Sequence, residues 1–434
     1  MLVSVSPAHA EDLMEIYRKA LDNDPQILAA GYEHSAAGAA VKEAYGRMLP
    51  QVGIEYDYSV TNQEIISSEN PLYQPGSTEY PTKDYSLTLT QPLFDWTLAM
   101  DYGQARANSK RADAKYASKQ QDLIMRTAEG YLVALAAIDE LGFAEAEKAA
   151  VQKHLELVQG MMSSGMARKT ELYDAKARYA SVEADEISAQ SNLDDKLQAL
   201  REMVGELSGN LARLKAGFEL VQPEPHDPKS WMQAALEQNP QIVQQLHNVA
   251  VSRYDIRLAQ AGHLPTLGLT ARFDNRDAGG SLAGGGNEVE TRDVLIRVNI
   301  PLFQGGIVNS RTRRTQQLYQ KALQDLTEMQ RGVQRQARLA YHGIISAISK
   351  IEALTKSVSS QELALQSKQY GYRSGLYTNL DVLDAESDVF EARRDLAHAR
   401  YDYLLNSLRL KQAVGTLSEA DIAGINAWLQ KGNE

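Results

Sequence analysis

Apolar positions along this chain follow two periods, and the switch between them happens twice. Leu13, Ile16, Tyr17 and Ala20 share one helical face, which predicts a short amphipathic helix over residues 11–22. Asp24-Pro25 supplies a cap followed by proline at a first helical position, and the helix it opens runs toward Arg47 before Leu49-Pro50 stops it. The period then drops to two. Val52, Ile54, Tyr56, Tyr58 and Val60 alternate with Gly53, Glu55, Asp57 and Ser59. After a polar loop holding Pro71, Pro75, Gly76 and Pro81, Tyr85, Leu87 and Leu89 alternate with Asp84, Ser86, Thr88 and Thr90. Together they predict a β-hairpin over residues 51–92, each strand with one apolar and one polar face.

Helical spacing returns at Asp95 and continues to about Gly160 without a proline. Leu98, Tyr102, Ala105, Ala112, Tyr116 and Leu123 keep a 4-3 spacing that resumes one residue out of step at Ile124, Ala128, Tyr131, Leu135 and Ile138. Such a helix would be roughly 100 Å long, and the slip suggests a local change in coil winding. A reversal over residues 160–169 and a return helix from Thr170 to about Met203 complete a coiled-coil hairpin, residues 95–213. Three prolines between Val221 and Pro228 then divide the chain.

Beyond that linker the pattern repeats. Asn239-Pro240 answers Asp24-Pro25, Leu264-Pro265 answers Leu49-Pro50, and Ile300-Pro301-Leu302-Phe303 answers Gln91-Pro92-Leu93-Phe94. Leu267, Leu269, Ala271 and Phe273 mark a third strand, and Val294, Ile296, Val298 and Ile300 a fourth. Tyr341 answers Tyr131, Gly375 answers Gly165, Asp384 answers Asp174 and Val414-Gly415 answers Val204-Gly205, at an offset near roughly 210 residues. This predicts an internal duplication. The first repeat covers 11–220; the second covers 228–431, with a β-hairpin at 265–302 and a coiled-coil hairpin at 304–416.

The sharpest part of the second coil is its tip, GLYTNLDVLDAE, Gly375 to Glu386. A heptad seam starts there at Val382 and continues through Ala385, Val389, Ala392, Leu396, Ala399 and Tyr403. Asp381 and Asp384 fall on one helical face. From spacing alone they read as a solvated acidic helix face rather than a site. A weaker copy, GMARKTELYDAK, occupies Gly165 to Lys176.

Composition narrows the reading. The 434 residues carry 45 Lys plus Arg against 56 Asp plus Glu, a formal net charge of −11, which argues against nucleic acid as a partner. There is no cysteine, so disulfides, thiolate metal sites, cysteine nucleophiles and a lipid anchor on an N-terminal cysteine are excluded. No metal site or cofactor is expected: the His residues are scattered with no His-x-x-x-His pair. Nor does any catalytic constellation point to an enzyme. GGSLAGGG, Gly279 to Gly286, lacks a following Gly-Lys-Ser/Thr and reads as a barrel loop rather than a phosphate cradle. Arg311, Arg313 and Arg314 could meet lipid headgroups, line a lumen, or simply open a solvated helix.

Residues 1–10, MLVSVSPAHA, combine an apolar stretch with the small-x-small Ala8-His9-Ala10, which predicts a signal-peptide remnant and an exported chain. No apolar run is long enough for a spanning helix, so a membrane could be entered only as a β-barrel. The strands alternate as a water-filled barrel requires. Four strands cannot close one, so closure needs several chains; three copies would give about twelve strands.

These residues resemble the TolC-like outer-membrane efflux or type I secretion channels over essentially all of Glu11 to Leu429. The resemblance is carried by EDLMEIYRKALDNDPQI, the Leu-Pro-Gln-Val-Gly entry to the first strand, and IPLFQGGIVNS. It is strongest over GYRSGLYTNLDVLDAE and on through ARYDYLLNSLRLKQAVGTLSEADI. It implies a mostly α chain contributing four strands to a trimeric 12-stranded transmembrane β-barrel, which continues into a long periplasmic α-helical coiled-coil barrel. The implied partners are two further copies, a periplasmic adaptor, an inner-membrane ABC or proton-driven transporter, and outer-membrane lipid. The missing N-terminal cysteine fits the unlipidated secretion branch; export of small compounds is the alternative cargo. A periplasmic coiled-coil adaptor is a different class, disfavoured because adaptors carry one hairpin with lipoyl-like modules.

The same resemblance implies a gate. Asp381 and Asp384 match two acidic rings that narrow the periplasmic aperture and would favour cations. Thr170 and Glu171 stand at a Thr-Asp pair, with Glu replacing Asp, and Tyr372 matches the Tyr to which that pair links. Tyr377 stands where the family has an Arg, so the charged half of that lock is missing. A Glu171–Tyr372 hydrogen bond is therefore expected to carry it.

Overall fold

The computed structural model describes residues 10–69, 71, 75–207, 209–215, 217–281 and 285–430. All of the expected signal-peptide segment but Ala10, part of the 279–286 loop and residue 431 at the end of the second repeat lie outside the described residues. The chain is mostly helical, with one four-stranded sheet. In order the elements are α1 (Leu13–Asn23), α2 (Pro25–Gly46), β1 (Gln51–Ile65), β2 (Gly76–Phe94), α3 (Trp96–Ser163) and α4 (Lys169–Val204). There follow α5 (Pro228–Gln238), α6 (Pro240–Ala261), β3 (Thr266–Ala278), β4 (Asn287–Asn299), α7 (Ile307–Arg373), α8 (Asn379–Val414) and α9 (Glu419–Asn426). Two compact units form, one from the described parts of Met1–Tyr32, Ala114–Val243 and Thr327–Glu434, the other from Glu33–Asp113 and Gln244–Leu326.

In the second unit the strands pair antiparallel in the order β1-β2-β3-β4. Register, not only alternation, gathers the apolar side chains. Val52 lies opposite Leu89, Leu89 opposite Ala271, and Ala271 opposite Val294, while Ile54, Leu87 and Phe273 form the next row. Because side chains alternate faces, Gly53, Thr88, Arg272 and Asp293, and then Glu55, Ser86, Asp274 and Thr291, share the opposite face. The strand ends depart from the expected limits of 51–92 and 265–302. β1 continues to Ile65 although Thr61–Glu64 no longer alternate, because its backbone stays paired with Gly76–Tyr80. β2 passes Pro92, which lacks an N–H, through a register shift before Phe94. β4 stops at Asn299, ahead of Pro301.

The first unit holds the main core. Leu13, Ile16, Tyr17 and Ala20 of α1 bury the face that the spacing predicts, and an Asp12–Glu15 capping box fixes the start of the helix. They pack with Leu123–Leu135 of α3, Leu200 and Val204 of α4, Ile344 and Ile348 of α7, Leu404 and Leu408 of α8, and Ile422 and Ile425 of α9. At the slip in the 4-3 spacing, Leu123, Ile124 and Met125 are all buried. Here α3 is enclosed on more than one side, so no single stripe can describe it. Tyr131, fully buried, donates its hydroxyl proton toward two carbonyls, Ala212 O at 2.8 Å and Glu11 O at 3.1 Å, tying both strand-like segments to α3.

The coiled-coil hairpin expected over 95–213 ends earlier as a helix. α4 stops at Val204, and the residues beyond it run alongside the N-terminus, with Leu211 bridged to Glu11. α9 has its own capping box, Ser418 with Asp421. The linker is anchored at Val221, whose N–H and carbonyl both bond the Tyr403 hydroxyl, at 2.9 and 3.0 Å.

Candidate functional site

Both coil tips turn the same way. At the first, Gly165 has φ 75° and the N–H of Met166 reaches back to Met161 O at 2.8 Å; at the second, Gly375 has φ 78° and Leu376 reaches Gly371 O at 2.8 Å. A left-handed residue closed by such a six-to-one bond ends a helix cleanly, and glycine adopts it without the Cβ penalty. The tips differ in how the return helix begins. α8 starts with a full capping box: Thr378 Oγ1 and N both donate to Asp381 Oδ2, at 2.6 and 2.8 Å, and Asp381 N donates to Thr378 Oγ1 at 3.2 Å. α4 starts at Arg168, which makes no side-chain cap.

Asp381 therefore has a local task. The Thr378 side-chain hydrogen bond first, and then the backbone one, hold its carboxyl below the ordinary range, so it stays charged. Asp384, one turn on, is exposed, and its side chain has no hydrogen bond or ion pair among the described residues. Of the heptad seam behind them, Val382, Ala385, Val389, Ala392, Ala399 and Tyr403 are buried, and Leu396 is half-buried.

The lock residues lie together, but with different contacts. Tyr372 is half-buried at the end of α7; its hydroxyl points to Met161 Sδ at 3.8 Å on α3, and its ring sits 6.0 Å from that of His154. The expected Glu171–Tyr372 hydrogen bond is not formed. Glu171 acts on Tyr372 through charge: burial first, and then the Glu171 carboxylate, raise the phenol's pKa. Thr170 is exposed, with no side-chain hydrogen bond among the described residues. Tyr377 folds back on its own tip, so close to Gly371 that a Cβ there would meet its ring at 2.3 Å.

The residue that joins the helices is one that the sequence pattern did not single out. Asn379, the first residue of α8, is 3 % exposed. Its Nδ2 donates to Glu171 O of α4 at 3.4 Å and its Oδ1 contacts His154 Nε2 of α3. A polar residue directly after the capping Thr378 was the available signal, but the buried contacts come from partners far away in sequence.

Outside the tips, the sheet's apolar face is uncovered within the chain: Val52, Ile54, Val294 and Ile296 are 64, 82, 75 and 62 % exposed. A continuous apolar surface of that kind marks a lipid or protein contact. No described helix is long and apolar enough to cross a membrane. No group of metal-ligating side chains occurs among the described residues.

Sheet, tips and double set of long helices define a class that comparison with known proteins supports. The sequence pattern of the family described as "Outer membrane efflux protein" matches residues 16–206 and 231–416. The chain is 33% identical over 427 residues to outer membrane protein TolC of Vibrio cholerae, covering 98% of this chain and 95% of that protein. It is 30% identical to alkaline protease secretion protein AprF of Pseudomonas aeruginosa, covering 97% of this chain and 88% of the relative. In fold it is similar to the CmeC outer membrane channel of Campylobacter jejuni, with a TM-score of 0.83 at 15% identity over 99% of this chain and 95% of that one. The chain belongs to the outer membrane efflux protein family. It is an outer-membrane channel protein of the efflux and type I secretion class, reaching into the periplasm.

Proposed function

We propose that three copies of this chain close one β-barrel of about twelve strands in the outer membrane and form the passive exit duct of a tripartite assembly. The sheet carries this reading. It has one apolar, exposed face, one polar face, and two outer strands, β1 and β4, each paired on one side only among the described residues. Open edges cannot sit in lipid, so β1 of one copy pairs with β4 of the next. The repeated element order and the constant sequence offset support descent of the two halves from one duplicated unit.

A periplasmic adaptor and an inner-membrane ABC or proton-driven transporter supply substrate and energy. The tips, with Asp381 and Asp384 as a charge ring, Glu171, Tyr372 and Asn379 as the joint behind it, and Thr170 and Tyr377 exposed at its edge, keep the duct narrow at rest. Protein is the favoured cargo, on the 30% identity to a protein named for alkaline protease secretion. The family's description as efflux proteins supports small compounds as a second reading.

Native mass measurement in detergent tests the assembly: three copies of the 48.0 kDa chain are expected, and a stable monomer or dimer contradicts closure. Cargo is separated by complementing a host that lacks its exit duct. Restored secretion of a type I protein substrate supports the first reading, and restored resistance to toxic compounds without secretion supports the second.

A further inference from the structure

Behind the tips, the coil interior holds charges that neither the capping box nor the joint uses. Glu147 of α3, 5 % exposed, receives two guanidiniums, Arg394 of α8 at 3.0 Å and Arg178 of α4 at 3.4 Å. One carboxylate thus ties three helices. Glu386, also on α8, feels the Glu147 charge but has no hydrogen bond or ion pair of its own among the described residues. Both guanidiniums are committed to Glu147, and Arg178 Nε is buried without an acceptor.

Glu386 forms part of the wall of a cavity of about 730 Å³ between α3, α7 and α8. The other ionisable groups lining that cavity are Lys153 and His154 from α3 and Tyr372 and Arg373 from α7. None is paired with Glu386. A half-buried carboxyl near the Glu147 charge is most stable with its proton on; once ionised, it is better accommodated by a looser coil that brings more water into the cavity.

We propose that Glu386, set against the Glu147–Arg178–Arg394 cluster, is a proton-operated latch: with its proton bound it holds α8 against α3 and α4, and loss of that proton releases the tip. The latch concerns control of the duct and rests on the channel reading. Its working range is set by the Glu386 carboxyl, pushed up from 4.5 to about 7 by burial first and then by the Glu147 charge, with Arg178 opposing. A raised acid binds its proton more tightly in the packed coil than in water. Packing therefore strengthens as pH falls from about 7 toward the ordinary carboxyl value, weakens as pH rises through that window, and is flat above it.

The test uses the full-length channel in planar bilayers, wild type beside Glu386→Gln, which keeps the shape and the neutral state. In the wild type, the open-to-closed ratio should rise on the order of tenfold per protomer between about pH 5.5 and about pH 8, while Glu386→Gln stays near the low-pH level throughout. The chain has no cysteine, so Asp388→Cys on α8 accepts a single spin label whose mobility reports release independently of conduction. Mobility should rise with pH in the wild-type background and not beside Glu386→Gln. A pH response that survives Glu386→Gln, or no response in the wild type, overturns the latch. A label that responds while neither form conducts at any pH supports the latch and overturns the channel reading instead.

Discussion

Asp381 closes a helix end in the structure and, in the proposed duct, would also line the mouth. Its carboxylate closes the first turn of α8 and is held in the charged form by the Thr378 bonds that do so. A depressed carboxyl contributes to the cap above its ordinary pKa and loses that contribution as pH falls through the lower folded value, so the cap is intact at neutral pH. Thr378→Ala should speed amide exchange over residues 379–382 by about fivefold, read by hydrogen-exchange mass spectrometry, and leave the Arg168 end of α4 unchanged. The reversals at Gly165 and Gly375 were legible in the sequence because a left-handed position leaves a glycine behind. Asn379 and Glu386 were not, because each matters through burial against helices more than a hundred residues away.

Among the elements, α3 states most clearly what periodicity can and cannot reveal. Over Leu98 to Tyr116 the expected stripe is only half-buried, and the buried side chains, Ala107 and Ala114, lie off it; from Leu123 to Leu135 the helix is surrounded and burial is near-continuous. The slip in the heptad was visible in the sequence, whereas the crowding by α1, α4 and α9 that accompanies it was not. The same crowding makes Tyr131 an anchor for segments that are not helical at all. Tyr131→Phe keeps the ring but leaves the Ala212 and Glu11 carbonyls short of a donor, and should cost about 1–3 kcal/mol, measured as a lowered midpoint in denaturant-induced loss of helical circular dichroism. At the second tip, Tyr377 fills the space over Gly371 rather than offering a charge, so this joint is held by packing and by Asn379.

For the whole molecule, the sheet is the part that the proposed barrel needs further copies to complete. Its alternation and apolar face were legible because a strand declares its two faces by a period of two, whereas Gly76 and Pro81, expected in the first loop, are paired within β2, and the Ile54–Leu87–Phe273 row ends on Arg292. How many copies close it was not legible, since no residue within one chain encodes the count. In the proposed duct the closed assembly conducts and the tips hold it nearly shut. A resting state closed 99 to 1 needs only about 2.7 kcal/mol, within reach of a few buried polar contacts per copy. Single-channel recording in planar bilayers tests this most directly. The wild-type assembly should show discrete, small steps of conductance, and Glu171→Ala with Tyr372→Phe and Asn379→Ala should enlarge them severalfold, whereas no discrete steps from either form would contradict the account.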